Sequence, residues 1–275
     1  MIRRGNAAWI EVRRELDRWA GDGLAAKYWV RDDDAIQVSA DLKRLHDLAT
    51  RHGIQIGLAV IPGKARPDLV DFLANSTRQF YPMCHGWQHD NHSRSNKPAE
   101  FGPDRPTSSL ILDARSALHT FNTLFRSAKA IFVPPFNCAT DALVRALPDI
   151  GYFAVSLMPS RVERTLLRLT HELKWLPRFR IPDFSNSPRI DVHLDVINWK
   201  EMKAQDTEII ANQLLQNLRG RRLGILAADA PIGLLTHHLV HNEGIWDRCE
   251  EILEVLQSHN AAEFVDVGRW AARTS

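Results

Sequence analysis

The feature that most constrains this chain's fold is an alternation: short apolar runs bounded by turn residues trade places with longer segments of helical spacing, from residue 27 to residue 267. The runs at 27–31, 54–61, 80–84, 130–133, 152–157, 190–197, 223–227 with 233–235, and 264–267 have the length of strands. The segments 41–51, 67–75, 108–124, 140–147, 207–218 and 245–258 carry helix formers at helical spacing. Strands joined through helices run parallel, so the pattern predicts an α/β fold, either a barrel or a doubly wound sheet.

No internal repeat and no shift in composition divides the chain, which predicts a single domain over residues 1–275. The Asn/Ser/Lys/Pro-rich stretch 91–107 and the Arg/Pro-rich stretch 176–188 then read as long functional loops inside it. Trp9, Val12, Leu16 and Trp19 share one face, so residues 1–22 are expected to form an amphipathic helix packed on the outside.

Composition closes off several functions. Thirty-five basic against 33 acidic residues leave a net charge of +2, too weak a field to attract nucleic acid. Cys84, Cys138 and Cys249 are odd in number and far apart, so they encode neither a disulfide framework nor a zinc ribbon, and a reducing compartment is expected. No apolar run reaches the roughly 18 residues of a membrane-spanning helix, so no integral membrane segment is expected. The first residues are charged too densely for a secretory signal, which makes the cytoplasm the expected location.

Chemistry-bearing residues collect where the apolar runs end, the rim at which parallel α/β folds place their ligands. After 27–31 come Asp32, Asp33 and Asp34, three adjacent carboxylates that repel one another and call for a cation or a proton. After 80–84 come His85 and His89, four apart, a spacing that brings two imidazoles to one side of a turn as a zinc-like ion requires. His92 is a spare donor, and Asp90 could orient a ligand from behind. His237, His238 and His241 follow 233–235, and because neighbours on an extended chain diverge, only one of His237 and His238 should reach a common pocket. His238 is expected to pack outside or to begin the next helix.

Two further segments fit a site. Pro134 and Pro135 stop a strand and leave Phe136 and Asn137 as a rigid lip. Within 190–197, alternation puts Asp191, His193 and Asp195 on one face, and Trp199 just beyond could offer an apolar platform to a sugar ring or simply join the core.

The ordered set of these motifs, from about residue 27 to residue 237, resembles the polysaccharide deacetylase family, the NodB-like carbohydrate esterases of family four. That resemblance implies a distorted (β/α)7 barrel. It implies Asp33 as catalytic base and Asp34 as metal ligand, from a motif reading Thr-Phe-Asp-Asp-Gly, with Asp32 the alternative in a shifted register. His85 and His89 match its two histidine ligands, although Gly86 stands where a Ser or Thr is usual. Pro135, Phe136 and Asn137 match its Arg-Pro-Pro-Tyr-Gly segment, but Val133 replaces the arginine that holds the base, so either Arg31 or another cation takes its place, or the base is tuned differently and the substrate departs from the usual chitin-like polymers. Asp195 and Trp199 match its Asp and Trp motif, and His237 its Leu-x-His general acid.

The chemistry expected is metal-dependent removal of an acyl group, N-acetyl above all, from an amino sugar or glycan. The implied cofactor is one divalent metal ion, Zn2+ first among those that accept a carboxylate and two histidines. Two alternatives stay open: a non-catalytic carbohydrate-binding protein on the same scaffold, and a hydrolase of a small amide or a lipid-linked sugar.

Overall fold

A computed structural model describes residues 7–172 and 188–274. Of the predicted loop 176–188 only Pro188 is among the described residues, and the first six residues of the predicted outer helix are not. In chain order the strands are β1 (Ala26–Ala35), β2 (Ile56–Val60), β3 (Phe80–His85), β4 (Ile131–Val133), β5 (Ala154–Val155), β6 (Val192–Asp195), β7 (Ile197–Asn198), β8 (Lys203–Ala204), β9 (Ile232–Thr236) and β10 (Ala262–Phe264). The α-helices are α1 (Ala7–Gly21), α2 (Ala40–His52), α3 (Pro67–Ala74), α4 (Thr107–Leu124), α5 (Asp141–Ile150), α6 (Arg161–Glu172), α7 (Thr207–Arg222), α8 (Glu243–Gln257) and α9 (Val267–Arg273).

Seven strands pair in parallel in the order β5-β4-β3-β2-β1-β9-β6, and β10 lies beside the first residues of β1. The two edges of this curled sheet meet without a regular ladder. Val155 N–H donates to Pro188 O at 3.0 Å, Ile190 N–H to Val155 O at 3.1 Å and Val192 N–H to Leu157 O at 3.0 Å. The result is the distorted (β/α)7 barrel expected from the resemblance. β7 and β8 form a short antiparallel hairpin on its rim.

The pleat of β1 sorts its side chains into two environments. Tyr28 and Val30 join the large apolar layer beneath the helices, while Trp29 joins a smaller cluster with Ala59, Met83, Ile131, Val133, Val192 and Leu235. That second cluster fills the barrel's interior, and Arg31 and Asp33 follow Trp29 into it by the same alternation. Asp32 goes the other way. Its carboxylate accepts from Thr236 Oγ1 at 2.6 Å, from His238 N–H at 2.9 Å and from His238 Nδ1, so β1 is stapled to the end of β9. Burial would raise the Asp32 pKa, but the His238 charge and hydrogen bond outweigh it and leave the carboxyl below its ordinary range. The same pairing raises His238 against the pull of burial.

Several expectations need correction. No strand forms at 223–227: α7 runs on to Arg222, Gly224 turns left-handed at φ 77°, and Ile225 N–H closes the helix end on Gly220 O at 2.9 Å. The regular alternation expected over 190–197 breaks at His193. Val192 pairs with Gly233 and Leu194 with Leu234, so one residue bulges between them. Val192 therefore packs inside the barrel and Leu194 outside it, and Asp191, His193 and Asp195 do not share a face. His193 instead lies beside α7, its Nδ1 accepting from Gly233 N–H at 3.0 Å and its Nε2 3.0 Å from Arg221. His238 does begin the next helical turn, His238–Val240, as one of the two expectations had it, but it does not pack outside: it is fully buried against Asp32.

The Asp32 staple has a measurable consequence. Asp32→Ala leaves a buried histidine and a buried hydroxyl without their acceptor, and removing one partner of such a pair costs on the order of 3–5 kcal/mol. Urea unfolding of the variant should show a loss of that size; a loss below about 1 kcal/mol would mean that the staple does not hold β1 to β9.

Candidate active site

Where β1, β3 and β4 end, the backbone leaves the extended region at several points. The β1–β2 ladder is regular to Asp32, shifts, and resumes at Ala35, and between these Asp34 adopts φ 75°. That turn lifts Asp34 onto the rim while Asp33 stays inside. After β3, Gly86 takes φ 57° and His89 φ 58°; after β4, Phe136 takes φ 57° and Asn137 φ 49°. Asp34, His89, Phe136 and Asn137 are four of the five non-glycine residues with positive φ among the described residues. Such conformations cost free energy and persist where surrounding structure enforces them, commonly at functional sites.

The strained turns bring three donors together. Asp34 Oδ1 lies 3.0 Å from His85 Nε2 and 3.1 Å from His89 Nε2, and the three donor atoms all fall within 4.8 Å of one another. His85 Nδ1 is 3.1 Å from Val133 O, a carbonyl that can only accept, so the ring proton belongs on Nδ1. The lone pair of Nε2 then faces a carboxylate oxygen at 3.0 Å, an arrangement that needs a proton or a cation between the two. Burial works against both charges, yet hydrogen bonds from His85 and His89 hold Asp34 well below the usual carboxylate range, and Asp33 and Asp34 raise His85. One carboxylate and two imidazoles, one of them oriented by a backbone carbonyl, fit a divalent ion such as zinc.

The cation paired with Asp33 is Arg31. Because β1 is regular through Asp32, Arg31 and Asp33 point the same way, and Arg31 Nη2 donates to Asp33 Oδ2 at 2.9 Å. Arg31 Nε sits 2.8 Å from Oδ1, close enough for ion pairing although its N–H is not aligned on that oxygen. The guanidinium also donates to Ser156 Oγ at 2.9 Å and Asn137 Oδ1 at 2.6 Å. Arg31 and Asp33 are both buried.

His237, not His238, lines this mouth. Its Nε2 is 3.9 Å from Asp33 Oδ2, and its ring stands edge-on to Trp199 with centroids 4.7 Å apart. Trp199 Nε1 donates to Asp195 Oδ2 at 2.8 Å, while Asp195 Oδ1 accepts Ile197 N–H at 2.9 Å. Burial raises the Asp195 pKa in spite of those bonds. Trp199 is 45% exposed, so it stands at the surface rather than in the core.

Of the lip residues, Phe136 lays its ring 4.3 Å from that of His89, and Asn137 holds Arg31. Pro135 is buried against Gly86. His92 is exposed, and Asp90 pairs with Lys64 at 3.2 Å instead of orienting a ligand. Two contributors had no signal strong enough to single them out. Ser156 supports Arg31, and Glu100 accepts the backbone N–H groups of residues 87–89. Glu100 stands between Ala99 and Phe101, an apolar island in a polar loop, which is the only sequence hint of its burial.

No protein-family model matches the chain, and no curated protein matches it in sequence. Solved structures do. A candidate polysaccharide deacetylase from Mycobacterium smegmatis superposes with a TM-score of 0.59 at 10% identity, over 92% of this chain and 91% of that one. A peptidoglycan N-acetylglucosamine deacetylase gives 0.51 at 16% identity over 92% and 94%. A pseudoenzyme of carbohydrate esterase family four gives 0.53 at 11% identity over 90% and 67%. The fold is that of the carbohydrate esterase family four deacetylases. At these identities the likeness is one of fold, and within that fold Asp34, His85 and His89 occupy the rim of the barrel.

The donor geometry predicts one divalent ion per chain in the parent protein. Asp34→Ala and His89→Ala should each abolish stoichiometric metal by elemental analysis; unchanged stoichiometry in both would misplace the site.

Proposed function

We propose that this chain is a metal-dependent hydrolase that removes an acyl group, N-acetyl in the first instance, from an amino sugar or glycan. The observation that carries this is the adjacency of three metal donors within 4.8 Å, an arginine-clamped Asp33 beside them, and His237 facing Asp33. Asp34, His85 and His89 would hold one divalent ion, zinc being the natural choice for this donor set. When bound, the ion supplies a Lewis acid that polarises a carbonyl and makes water a stronger acid.

The protein's own residues do the rest. Asp33 accepts the proton of the attacking water, and Arg31 balances its charge and fixes the direction of its carboxylate. His237 gives a proton to the departing amine, its ring steadied between Trp199 and the mouth. Trp199 offers a flat apolar face to a sugar ring, and Trp199 is tied down by Asp195. Structures sharing the fold support the choice of substrate, since one is named a peptidoglycan N-acetylglucosamine deacetylase. No helix among the described residues is long and apolar enough to cross a membrane. The cytoplasmic location in this proposal rests on the three unpaired cysteines.

One observation favours a second reading. Both oxygens of Asp33 contact Arg31 and the carboxylate is nearly inaccessible, which would suit a carbohydrate-binding protein without turnover. A structure sharing the fold is itself named a pseudoenzyme.

Release of acetate from N-acetylglucosamine oligomers of increasing length, and from small N-acetyl amides, decides between these readings. Zinc-dependent release abolished by a chelator is the expected result. Binding of the oligomers with no release from any substrate would establish the second reading, and release from short amides alone would shift the substrate class to small molecules.

Asp33→Asn should keep the metal and lower turnover by about a hundredfold to ten-thousandfold, the usual worth of a general base. Turnover within threefold of the parent would place the base elsewhere, and loss of metal with activity would exchange the roles of the two aspartates.

A further inference from the structure

We propose that Glu100 is a positioning residue for the metal-binding turn, a buried anion that takes the space of the missing side chain at Gly86 and aims His89 at Asp34. This rests on the metal site read above. Glu100 sits in the loop between β3 and α4 and is 1% exposed. Its Oε1 accepts Gln88 N–H at 2.7 Å and His89 N–H at 3.1 Å, and its Oε2 accepts Trp87 N–H at 3.2 Å. Among the described residues no basic side chain pairs with this carboxylate; Arg105 donates to the Glu100 backbone carbonyl and pairs with Asp113. Its charge is met by three consecutive backbone donors, an anion-binding nest.

The geometry explains the departure at position 86. A Cβ on Gly86 would lie 2.2 Å from Glu100 Oε2 and 2.4 Å from Pro135 Cγ, so the carboxylate approaches only because residue 86 has no side chain. Gly86 also takes a positive φ that glycine adopts without strain. Drawing the N–H groups of residues 87–89 towards one point curls the chain after His85. That curl brings His89, held at φ 58°, back over Asp34.

Glu100 is anchored in turn. Phe101 bridges Ala139 and accepts Thr140 N–H at 3.1 Å, which ties the loop to the segment following Phe136. The ring of Phe136 lies 4.3 Å from that of His89, so the lip and the metal-binding turn share one support.

The test is zinc affinity of the full chain, measured by competition with a chromophoric chelator, beside urea unfolding of the metal-free protein. Glu100→Gln puts an amide N–H against backbone donors, and Glu100→Asp keeps the charge but withdraws it by one methylene. The Gln variant should bind zinc about 10–100-fold more weakly, the usual effect of losing a ligand's support, with the Asp variant in between. Leu16→Ala, which truncates a fully buried apolar side chain of α1, should lower the urea midpoint yet leave zinc affinity within threefold. With Co2+ in place of zinc, the visible spectrum of the Glu100 variants should change and that of Leu16→Ala should not. If the Gln variant fails to fold, the Asp variant carries the comparison alone. Glu100 variants that bind within threefold of the parent, or Leu16→Ala weakening binding to the same degree, would overturn the proposal while leaving the metal site standing. A parent that binds no zinc would overturn both.

Discussion

Three consecutive aspartates cannot share one environment, and the upper end of the barrel is organised by the way β1 separates them. Asp32 crosses to the helical layer and meets His238, Asp33 turns inward to Arg31, and Asp34 rises to the rim between His85 and His89. Each carboxylate thereby meets a positive or protonatable partner of its own, and like-charge repulsion is relieved without exposing Asp32 or Asp33 to water. The staple to β9 also fixes where His237 can stand, because the residue that follows it is pinned to Asp32.

The same separation depends on a strand that is regular for most of its length and irregular at one point. Extended backbone through Asp32 gives Arg31 and Asp33 a common side, and the positive φ at Asp34 ends that rule. Strain of this kind must be offset by bonds nearby. At the rim those bonds are the Glu100 contacts under residues 87–89, the Val133 carbonyl on His85, and the Asn137 amide on Arg31. The interior cluster of Trp29, Met83, Ile131 and Leu235 supplies the firm floor on which they stand.

This chain departs from the motif it resembles in where its buried arginine lies. The position where an arginine is usual is Val133, an apolar interior residue whose carbonyl orients His85. The guanidinium comes from β1 instead, two residues before the carboxylate it holds. An arginine on the same strand needs no loop to deliver it, but its place on the interior face leaves Asp33 with little access from outside.

Much of this was legible in the chain. Short continuous apolar runs and helical spacings announced strands alternating with helices, because burial on both faces of a parallel sheet makes its strands apolar throughout and burial of one face gives a helix its period. The clustering of Asp, His and Pro after apolar runs marked the rim. Spacing alone failed where local geometry depends on distant atoms. The bulge at His193 follows from pairing with Gly233, and the end of α7 follows from Gly224 turning left-handed where β9 had been expected to begin early. Glu100, eleven residues from His89, was invisible because a buried carboxylate is told from a surface one only by what surrounds it. The sequence by itself determined the fold class and the residue types gathered at the strand ends, since periodicity and chemistry are properties of the chain. Only the tertiary structure decided which aspartate meets which partner, because a single positive φ reverses a side chain's direction and long-range contacts decide where that φ is tolerated.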